Sequence, residues 1–346
     1  MKKVSFIVVL LLLVALLGTA CAAKPPAAPA APAEQPAAPA EKAAEPFKVA
    51  LVTPSAINDL AFSQSMYDTL VKMQSQMGSD KFQFAVSDSM FVVDDAAAAI
   101  RDYASQGYNL ILAHGSQYGS ALKEIAPDFP KVSFAWGTAG DNFGIPNVFA
   151  YEAFSQEGGY VFGVLAAALT KSDVIGVVGP VEVGDAKLYV DGFLSGVKAS
   201  NPAITVNVNY TGSFGDVALA SEAAQTHIGA GADVMTGSAQ MVVGAVGVAK
   251  EKGVLWFGTQ ADQSSLAPKI VVASQVYDWE NVVTTMIELN QAGTMGGQNF
   301  ALSLKNGGLV LAYNPGYELP ADVKALGDAA AKGIIDGTIT IGVGGE

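Results

Sequence analysis

The chain has 346 residues and a formal net charge of -13, with 51% hydrophobic and 15% charged residues. Nucleic-acid binding requires clustered Lys and Arg to contact phosphates, and the sequence contains no such cluster, so nucleic acid is excluded as a partner. The length exceeds what one hydrophobic core usually supports, so two lobes are expected.

Residues 1–20 have the pattern of an export signal. Two lysines precede an apolar run over residues 6–17, which is too short for a comfortable membrane span, and small residues follow before Cys21. The position of this single cysteine resembles the lipobox of bacterial lipoproteins, although Gly18 stands where Leu is usual. We therefore predict a lipoprotein signal peptide and acylation of Cys21. The alternative is an ordinary secretory signal with a stray cysteine.

Residues 21–46 form a low-complexity segment after the signal. Beyond Cys21 they are almost entirely Ala, Pro, Glu and Lys. Such a composition cannot bury a core, so we expect an extended, disordered tether. A tether behind a lipidated cysteine would hold a globular body at the extracytoplasmic face of the cell membrane. No later segment is long and apolar enough to span the membrane.

The first half of the remaining chain alternates strands with helices. Strands are predicted over residues 49–52, 82–86, 109–113, 132–136 and 147–151. Helices are predicted over residues 96–103 and 120–125, after one that begins at Asp59 or Ser63. Because each strand is followed by a helix or a loop rather than by a hairpin, this alternation predicts right-handed crossovers and a parallel, Rossmann-like sheet.

The same pattern then begins again. Strands are predicted over residues 174–179, 204–210 and 255–258, with another from residue 234. Helices are predicted over residues 158–169, 191–199, 218–230 and 242–252. This is a second doubly wound unit of similar size. Two such units would face one another across a cleft and direct their strand-end loops into it.

The final part of the chain contains further short elements. We predict a strand over residues 270–276, a helix over residues 280–292, a late hairpin of residues 300–304 with 308–312, and a closing helix over residues 321–336. The expected fold class is α/β with two Rossmann-like lobes and a ligand cleft between them. The expected lobes are residues 47–151 plus 276–300, and residues 152–275 plus 301–346.

Polar and aromatic residues follow several of the predicted strands. In an open α/β sheet these strand-end loops line the crevice in which ligands bind. In the first such loop, the residues expected to meet a small polar or aromatic ligand are Asn58, Asp59, Phe62 and Ser63. The alternative is that Asn58 and Asp59 cap the helix and Phe62 packs under it.

No arrangement typical of catalysis is found. Ser116 lies beside His114, but its surroundings lack the Gly-x-Ser-x-Gly spacing of a nucleophile elbow. The second of the two histidines, His227, is distant in sequence, and no carboxylate cluster accompanies either, so no metal site is expected. A dinucleotide fingerprint and a Walker-type Lys are also missing. We therefore expect a binding protein without cofactor or metal, and not an enzyme.

Several stretches, in order and at family-like spacing, carry a resemblance to a known family. They are residues 58–67, 158–167, 191–197, 201–202, 210–214, 249–253 and 262–268. The sequence resembles the basic membrane protein family of bacterial substrate-binding lipoproteins, the purine nucleoside receptors of ABC importers, over essentially everything after the tether. The resemblance implies a type I periplasmic-binding-protein fold, a purine base or nucleoside as ligand, and an ABC permease as partner. We expect a monomer.

The sequence departs from this family at two positions that bear on the ligand. Family members that bind whole nucleosides carry an acidic residue where Gln260 stands, which holds the ribose hydroxyls, and a Lys where Tyr277 or Asp278 stands. The amide and the aromatic or acidic replacement here favour a free purine base over a nucleoside, which remains the alternative. A different class of function, a lipid-anchored surface sensor that presents a ligand to a signalling partner, also remains open.

A purine has two flat faces and an edge of donors and acceptors, so stacking rings and polar side chains would bind it. The candidate stacking residues are Phe62, Tyr118, Trp136, Phe214 and Trp279. The candidate edge-reading residues are Asn58, Ser116, Gln240, Gln260 and Asp262. For each aromatic residue, core packing is the alternative role.

Overall fold

The structure is a computed structural model that describes residues 45–342, so Cys21 and the predicted tether up to residue 44 lie outside the described residues. The strands are β1 (Phe47–Val52), β2 (Phe82–Ser87), β3 (Leu110–His114), β4 (Ser133–Gly137), β5 (Val148–Ala153), β6 (Val174–Gly179), β7 (Thr205–Tyr210), β8 (Val234–Gly237), β9 (Leu255–Gln260), β10 (Val271–Tyr277), β11 (Asn299–Leu302) and β12 (Leu309–Tyr313).

The helices alternate with these strands through most of the chain. They are α1 (Phe62–Met77), α2 (Val93–Ser105), α3 (Gly119–Ile125), α4 (Gln156–Leu169), α5 (Gly184–Ser200), α6 (Val217–Gly229), α7 (Val242–Lys252), α8 (Glu280–Gln291) and α9 (Ala321–Ile335). Within the part of the chain that the structure covers, no helix combines the length and the apolar character needed to cross a membrane.

Two six-stranded sheets organise the described chain, which confirms the predicted α/β class. The first sheet has the order β11-β5-β4-β3-β1-β2, and all its neighbouring strands are parallel. The second has the order β12-β10-β9-β8-β6-β7, and only the β12–β10 pair is antiparallel. The carboxyl ends of the parallel strands therefore meet at one edge of each sheet, where a binding site is expected.

The predicted late hairpin is wrong. β11 pairs in parallel with β5 in the first sheet, whereas β12 pairs antiparallel with β10 in the second. Two short apolar runs separated by a few polar residues have the local pattern of a hairpin, but each strand here completes the open edge of a different sheet. Phe300 of β11 packs against Phe149, with ring centroids 5.8 Å apart, so tertiary packing overrides the local pattern.

Each sheet is buried on both faces. On the first sheet, one core contains Val49 and Leu51 with residues of α1 and α8, and the other contains Ala50 and Val52 with residues of α2 and α3. The second sheet is covered by α4, α5 and α9 on one face and by α6 and α7 on the other. Continuous apolar runs are typical of such strands, because the side chains on both faces of the sheet are buried.

Three chain segments connect the two sheets and their helices. The chain passes from β5 to α4 through residues 154–155, from β10 to α8 through residues 278–279, and from β11 to β12 through residues 303–308. Because α8 and β11 pack with the first sheet and β12 with the second, each lobe is assembled from segments distant in sequence.

Candidate functional site

A narrow cavity lies where the strand ends of the two sheets meet. It is lined by loop and helix-start residues from both lobes. Those from the first lobe are Pro54, Phe62, Phe91, Gly115, Ser116, Gln117 and Thr138, and those from the second are Asp185, Ala186, Phe214, Ala239, Gln240 and Gln260. The topology explains this, because the loops after β1, β3 and β4 face those after β6 to β9.

Five of the residues selected from the sequence line this cavity, namely Phe62, Ser116, Phe214, Gln240 and Gln260. Asn58 is exposed and lines an adjoining depression together with Phe91 and Gln240. Asp262 is also exposed, lines a different depression, and accepts a hydrogen bond from the backbone N–H of Ser264. The cavity therefore combines two of the proposed stacking rings with three of the proposed polar groups.

Two other selected residues are buried by packing within the first lobe. Ser63 is fully buried, and its hydroxyl contacts those of Thr53 at 2.6 Å and Ser55 at 2.5 Å. Tyr118 is also fully buried and donates a hydrogen bond from its hydroxyl to the backbone oxygen of Met90 at 2.7 Å. Both side chains take part in the structure beneath the cavity wall.

The two selected tryptophans lie outside the cavity lining. Trp136 donates from its indole N–H towards the backbone oxygens of Gly115 and Ser116, at 3.3 and 3.2 Å, and so supports a loop that does line the cavity. Trp279 is fully buried and donates to the hydroxyl of Ser65 at 2.9 Å. A tryptophan at a strand end can face the core as readily as the cleft, and its sequence position does not decide between them.

Phe62 stacks on a buried histidine beneath it. The ring of Phe62 lies 3.8 Å from that of His114, with 4° between their planes. Both nitrogens of His114 are engaged, one with the Tyr151 hydroxyl at 2.8 Å and one with the backbone oxygen of Phe62 at 3.2 Å. Burial lowers the pKa of His114 to about 3, so the imidazole is neutral at physiological pH. Both ring nitrogens bond to groups other than the Ser116 hydroxyl.

Asp185 is a cavity residue that the sequence analysis did not select. Its carboxylate accepts hydrogen bonds from the hydroxyl of Thr138 at 3.0 Å, the amide N–H of Gln260 at 3.1 Å and the hydroxyl of Tyr277 at 2.9 Å. Burial raises the pKa of this carboxyl, and the three hydrogen bonds oppose that shift. Thr138 belongs to the first lobe and Gln260 to the second, so Asp185 connects the two walls of the cavity.

The predicted bounds of one helix explain why Asp185 was missed. The helix was expected over residues 191–199, whereas α5 begins at Gly184 and places Asp185 in its first turn. Acidic residues are favoured there because the first backbone N–H groups of a helix carry partial positive charge. The acidic residue next to a glycine, soon after the end of β6, was the signal available in the sequence.

Gln260 lines the cavity, and its amide contacts Asp185. The amide nitrogen donates to the Asp185 carboxylate, and the amide oxygen is buried without a hydrogen-bond partner among the described residues. The backbone of Gln260 has a positive φ of 70° at the end of β9, a conformation that residues other than glycine adopt only with strain. The cavity wall thus includes a residue whose buried amide oxygen lacks a hydrogen-bond donor among the described residues.

The arrangement suits a flat molecule with a polar edge. Phe62 from one lobe and Phe214 from the other supply ring surface, and Ser116, Gln240 and Gln260 supply hydrogen-bonding groups. Within residues 45–342, no group of three or more His, Cys, Asp or Glu side chains is arranged to hold a metal ion. The cavity therefore has the form of a binding site whose walls are supplied by both lobes.

Comparison with known proteins agrees with this geometry. Residues 47–340 match the family described as PnrA-like ABC transporter substrate-binding protein. The chain is 28% identical over 261 residues to the transcriptional activator protein Med of Bacillus subtilis, covering 75% of this chain and 80% of that protein. It is 28% identical over 260 residues to a purine-binding protein of Brucella abortus, covering 75% and 73% respectively.

A solved structure shows the same fold. An ABC transporter solute-binding protein from Conexibacter woesei superimposes with a TM-score of 0.71 at 23% identity, covering 86% of this chain and 99% of that one. The two sheets, the cleft at their strand ends and the family match over most of the chain agree with one another. The chain therefore belongs to the PnrA-like family of ABC transporter substrate-binding proteins, with the type I periplasmic-binding-protein fold.

Proposed function

We propose that this protein captures a free purine base in the interlobe cavity and delivers it to the membrane permease of an ABC importer. The observation that carries the proposal is the composition of the cavity wall. Aromatic rings from opposite lobes, Phe62 and Phe214, accompany the oriented amide of Gln260. Stacking on a ring accepts any flat base, and the polar groups select its edge.

A free base is favoured over a nucleoside because of the group at position 260. A carboxylate can accept hydrogen bonds from two ribose hydroxyls, whereas Gln260 uses its nitrogen on Asp185 and offers a single acceptor to the cavity. The similarity to a protein named as purine-binding in Brucella abortus supports a purine as the ligand class.

Calorimetric titration of the globular body tests the ligand assignment. The titrants are adenine, hypoxanthine, adenosine, inosine, a sugar and an amino acid. We expect the bases to bind at least as tightly as the corresponding nucleosides. Tight binding of the sugar or amino acid without a response to purines would overturn the assignment, and a strong preference for nucleosides would overturn the choice of the base.

We propose that the mature protein is anchored through acylated Cys21 at the extracytoplasmic face of the membrane and acts as a monomer. The signal-like residues 1–20 and the composition of residues 21–46 support the anchor. Replacing Cys21 with Ala should move the protein from the membrane fraction to the soluble fraction and leave its ligand affinity unchanged. Persistent membrane attachment of this variant would contradict the proposal.

A second candidate function is a surface sensor that presents its ligand to a signalling partner. The similarity to a protein named as a transcriptional activator in Bacillus subtilis favours this candidate. The two functions use the same cavity and differ in the partner that receives the loaded protein. Uptake of radiolabelled adenine by cells with and without the gene separates them, because loss of uptake supports transport and unchanged uptake supports sensing.

A further inference from the structure

We propose that Asp185 is a positioning residue that fixes the Gln260 amide so that its oxygen accepts a hydrogen bond from the ring N–H of a free purine base. The inference rests on the proposed function and assigns a chemical basis to its choice of base over nucleoside. Asp185 acts through Gln260, and the group that meets the ligand is the amide oxygen.

The orientation of the Gln260 amide is set by its contact with Asp185. The amide nitrogen donates to the carboxyl oxygen Oδ2 of Asp185 at 3.1 Å. The hydroxyls of Tyr277 and Thr138 donate to the same carboxylate from two other directions, at 2.9 and 3.0 Å. The Tyr277 hydroxyl donates to the same carboxyl oxygen, Oδ2, as the Gln260 amide, whereas the Thr138 hydroxyl donates to the other oxygen, Oδ1. Tyr277 is therefore the contact that holds Oδ2 in place for the amide.

The consequence appears on the cavity side of Gln260. With its nitrogen occupied, the amide directs its oxygen away from Asp185, and that oxygen is buried without a partner among the described residues. Gln260 is 3% exposed and lines the cavity. A buried acceptor without a donor costs free energy, so a ligand that brings an N–H group to this point is favoured over one that does not.

Purine chemistry identifies which ligands bring that group. A free purine base carries a hydrogen on a nitrogen of its five-membered ring, whereas in a nucleoside the sugar replaces the hydrogen at nitrogen 9. The compound 9-methyladenine removes the same donor with a much smaller substituent. The pair of adenine and 9-methyladenine therefore tests the hydrogen bond without introducing ribose contacts.

The experiment is a calorimetric titration of four proteins with both ligands. The proteins are the wild type, Asp185→Ala, Gln260→Leu and the double variant. We expect the wild type to prefer adenine by about tenfold or more, since a site built to bond an N–H group rejects an analogue without it. Both single variants should lose most of this preference, and the ratio left in Gln260→Leu measures the steric effect of the methyl group. The double variant should match Gln260→Leu, because the two residues act as one unit.

Two further variants separate positioning from a purely structural role. Asp185→Asn keeps an oxygen that can accept from the Gln260 amide, so it should retain more of the adenine preference than Asp185→Ala, and it replaces that variant if the latter fails to fold. Thr138→Val removes a different bond to the carboxylate and leaves the amide contact. It should weaken both ligands by a similar factor and leave their ratio unchanged.

The outcomes distinguish this inference from the proposed function. If the wild type binds no purine, both are overturned. If it binds adenine and 9-methyladenine equally, or if Asp185→Ala and Asp185→Asn both keep the wild-type ratio, this inference is overturned while purine binding stands. Collapse of the ratio in Asp185→Ala, its partial recovery in Asp185→Asn and its preservation in Thr138→Val would support the positioning role.

Discussion

Phe62 belongs to the cavity wall and to the hydrophobic core at the same time. Its ring is 8% exposed, stacks on His114 and joins the core that α1 and α8 form on the first sheet. Phe214 lines the same cavity from the second lobe but is only half-buried and is not part of a core. The two rings should therefore respond differently to truncation, although both line the cavity.

We predict that Phe214→Ala weakens adenine binding and leaves stability nearly unchanged. Stacking of a base on an aromatic ring contributes roughly 1–3 kcal/mol, and the half-buried Phe214 contributes little to packing. Phe62→Ala should weaken binding similarly and also lower the free energy of unfolding by about 3 kcal/mol or more, because it opens a cavity in the core. Calorimetric titration and urea denaturation of both variants provide the check. Equal stability of the two variants would contradict the double role of Phe62.

The buried His114 predicts a pH dependence of stability. Burial lowers its pKa from 6.5 to about 3 in the folded protein, so the unfolded chain takes up the proton first as the pH falls. The stabilising contribution is complete above about pH 6.5 and is lost as the pH falls towards 3, by up to about 1.4 kcal/mol per pH unit. The stability advantage of the wild type over His114→Gln should therefore narrow between about pH 7 and pH 5.

Urea denaturation of both proteins at the two pH values measures this difference. Burial also lowers the pKa of His227, but that residue is present in both proteins and its effect cancels in the comparison. A stability difference that stays constant between the two pH values would show that folding does not lower the pKa of His114.

Sequence patterns predicted most elements because each element has its own local signal. The predicted bounds of β6 and α7 coincide with the structure, since a short apolar run and an apolar helical face ending at Gly253 define them. The partners of β11 and β12 depend on which sheet edges remain open elsewhere in the chain. That information is not local, and the predicted hairpin failed for this reason.

The site was predictable to the level of strand-end loops. Phe62, Phe214 and Gln260 line the cavity because parallel strands place their carboxyl ends at one edge. The direction in which a loop side chain points was not predictable, and the Tyr118 ring turns into the core. Selecting Asp185 would have required the correct start of α5, and the bounds of helices are among the least certain predictions from a sequence.

Two helical glycines, one at the contact between α4 and α5 and one on the surface of α7, should respond in opposite ways to substitution by Ala. A Cβ on Gly163 would lie 2.2 Å from the backbone oxygen of Phe193, which cannot move without shifting α5. Gly163→Ala should therefore destabilise the protein by about 1–3 kcal/mol through overpacking. Gly247→Ala, in the exposed middle of α7 with open space around it, should stabilise by about 0.5–1 kcal/mol because Ala favours helix.

Thermal and urea unfolding of the two variants tests this contrast. The two substitutions add the same atom to a helix, so intrinsic helix preference is the same in both. A gain of stability in Gly163→Ala would show that α4 and α5 approach less closely than the structure indicates.

At the scale of the whole molecule, the cavity is assembled only when the lobes are together. The bond from Thr138 to Asp185 joins them across the cavity, and Gly184 lies close beside it, since a Cβ there would be 3.2 Å from the Thr138 hydroxyl oxygen. Three connecting segments allow such lobes to open about a hinge, and ligand binding would then favour the closed arrangement.

We predict that adenine compacts the wild-type protein in solution and that Thr138→Val shifts the ligand-free protein towards the open arrangement. The variant loses the buried hydrogen bond to the Asp185 carboxyl group, which contributes about 1 kcal/mol, and that bond joins the two lobes. Small-angle X-ray scattering with and without adenine measures the radius of gyration. An identical radius for both proteins without ligand would contradict a closing role for this bond.

The three connecting segments also govern how the chain can mature. A nascent chain that has been made only as far as β5 lacks α8 and β11. The apolar face of the first sheet that Trp279, Val282 and Met286 later cover is then still exposed to water. The core of the first lobe is therefore complete only after β11 has been made, and the core of the second lobe only after α9 has been made.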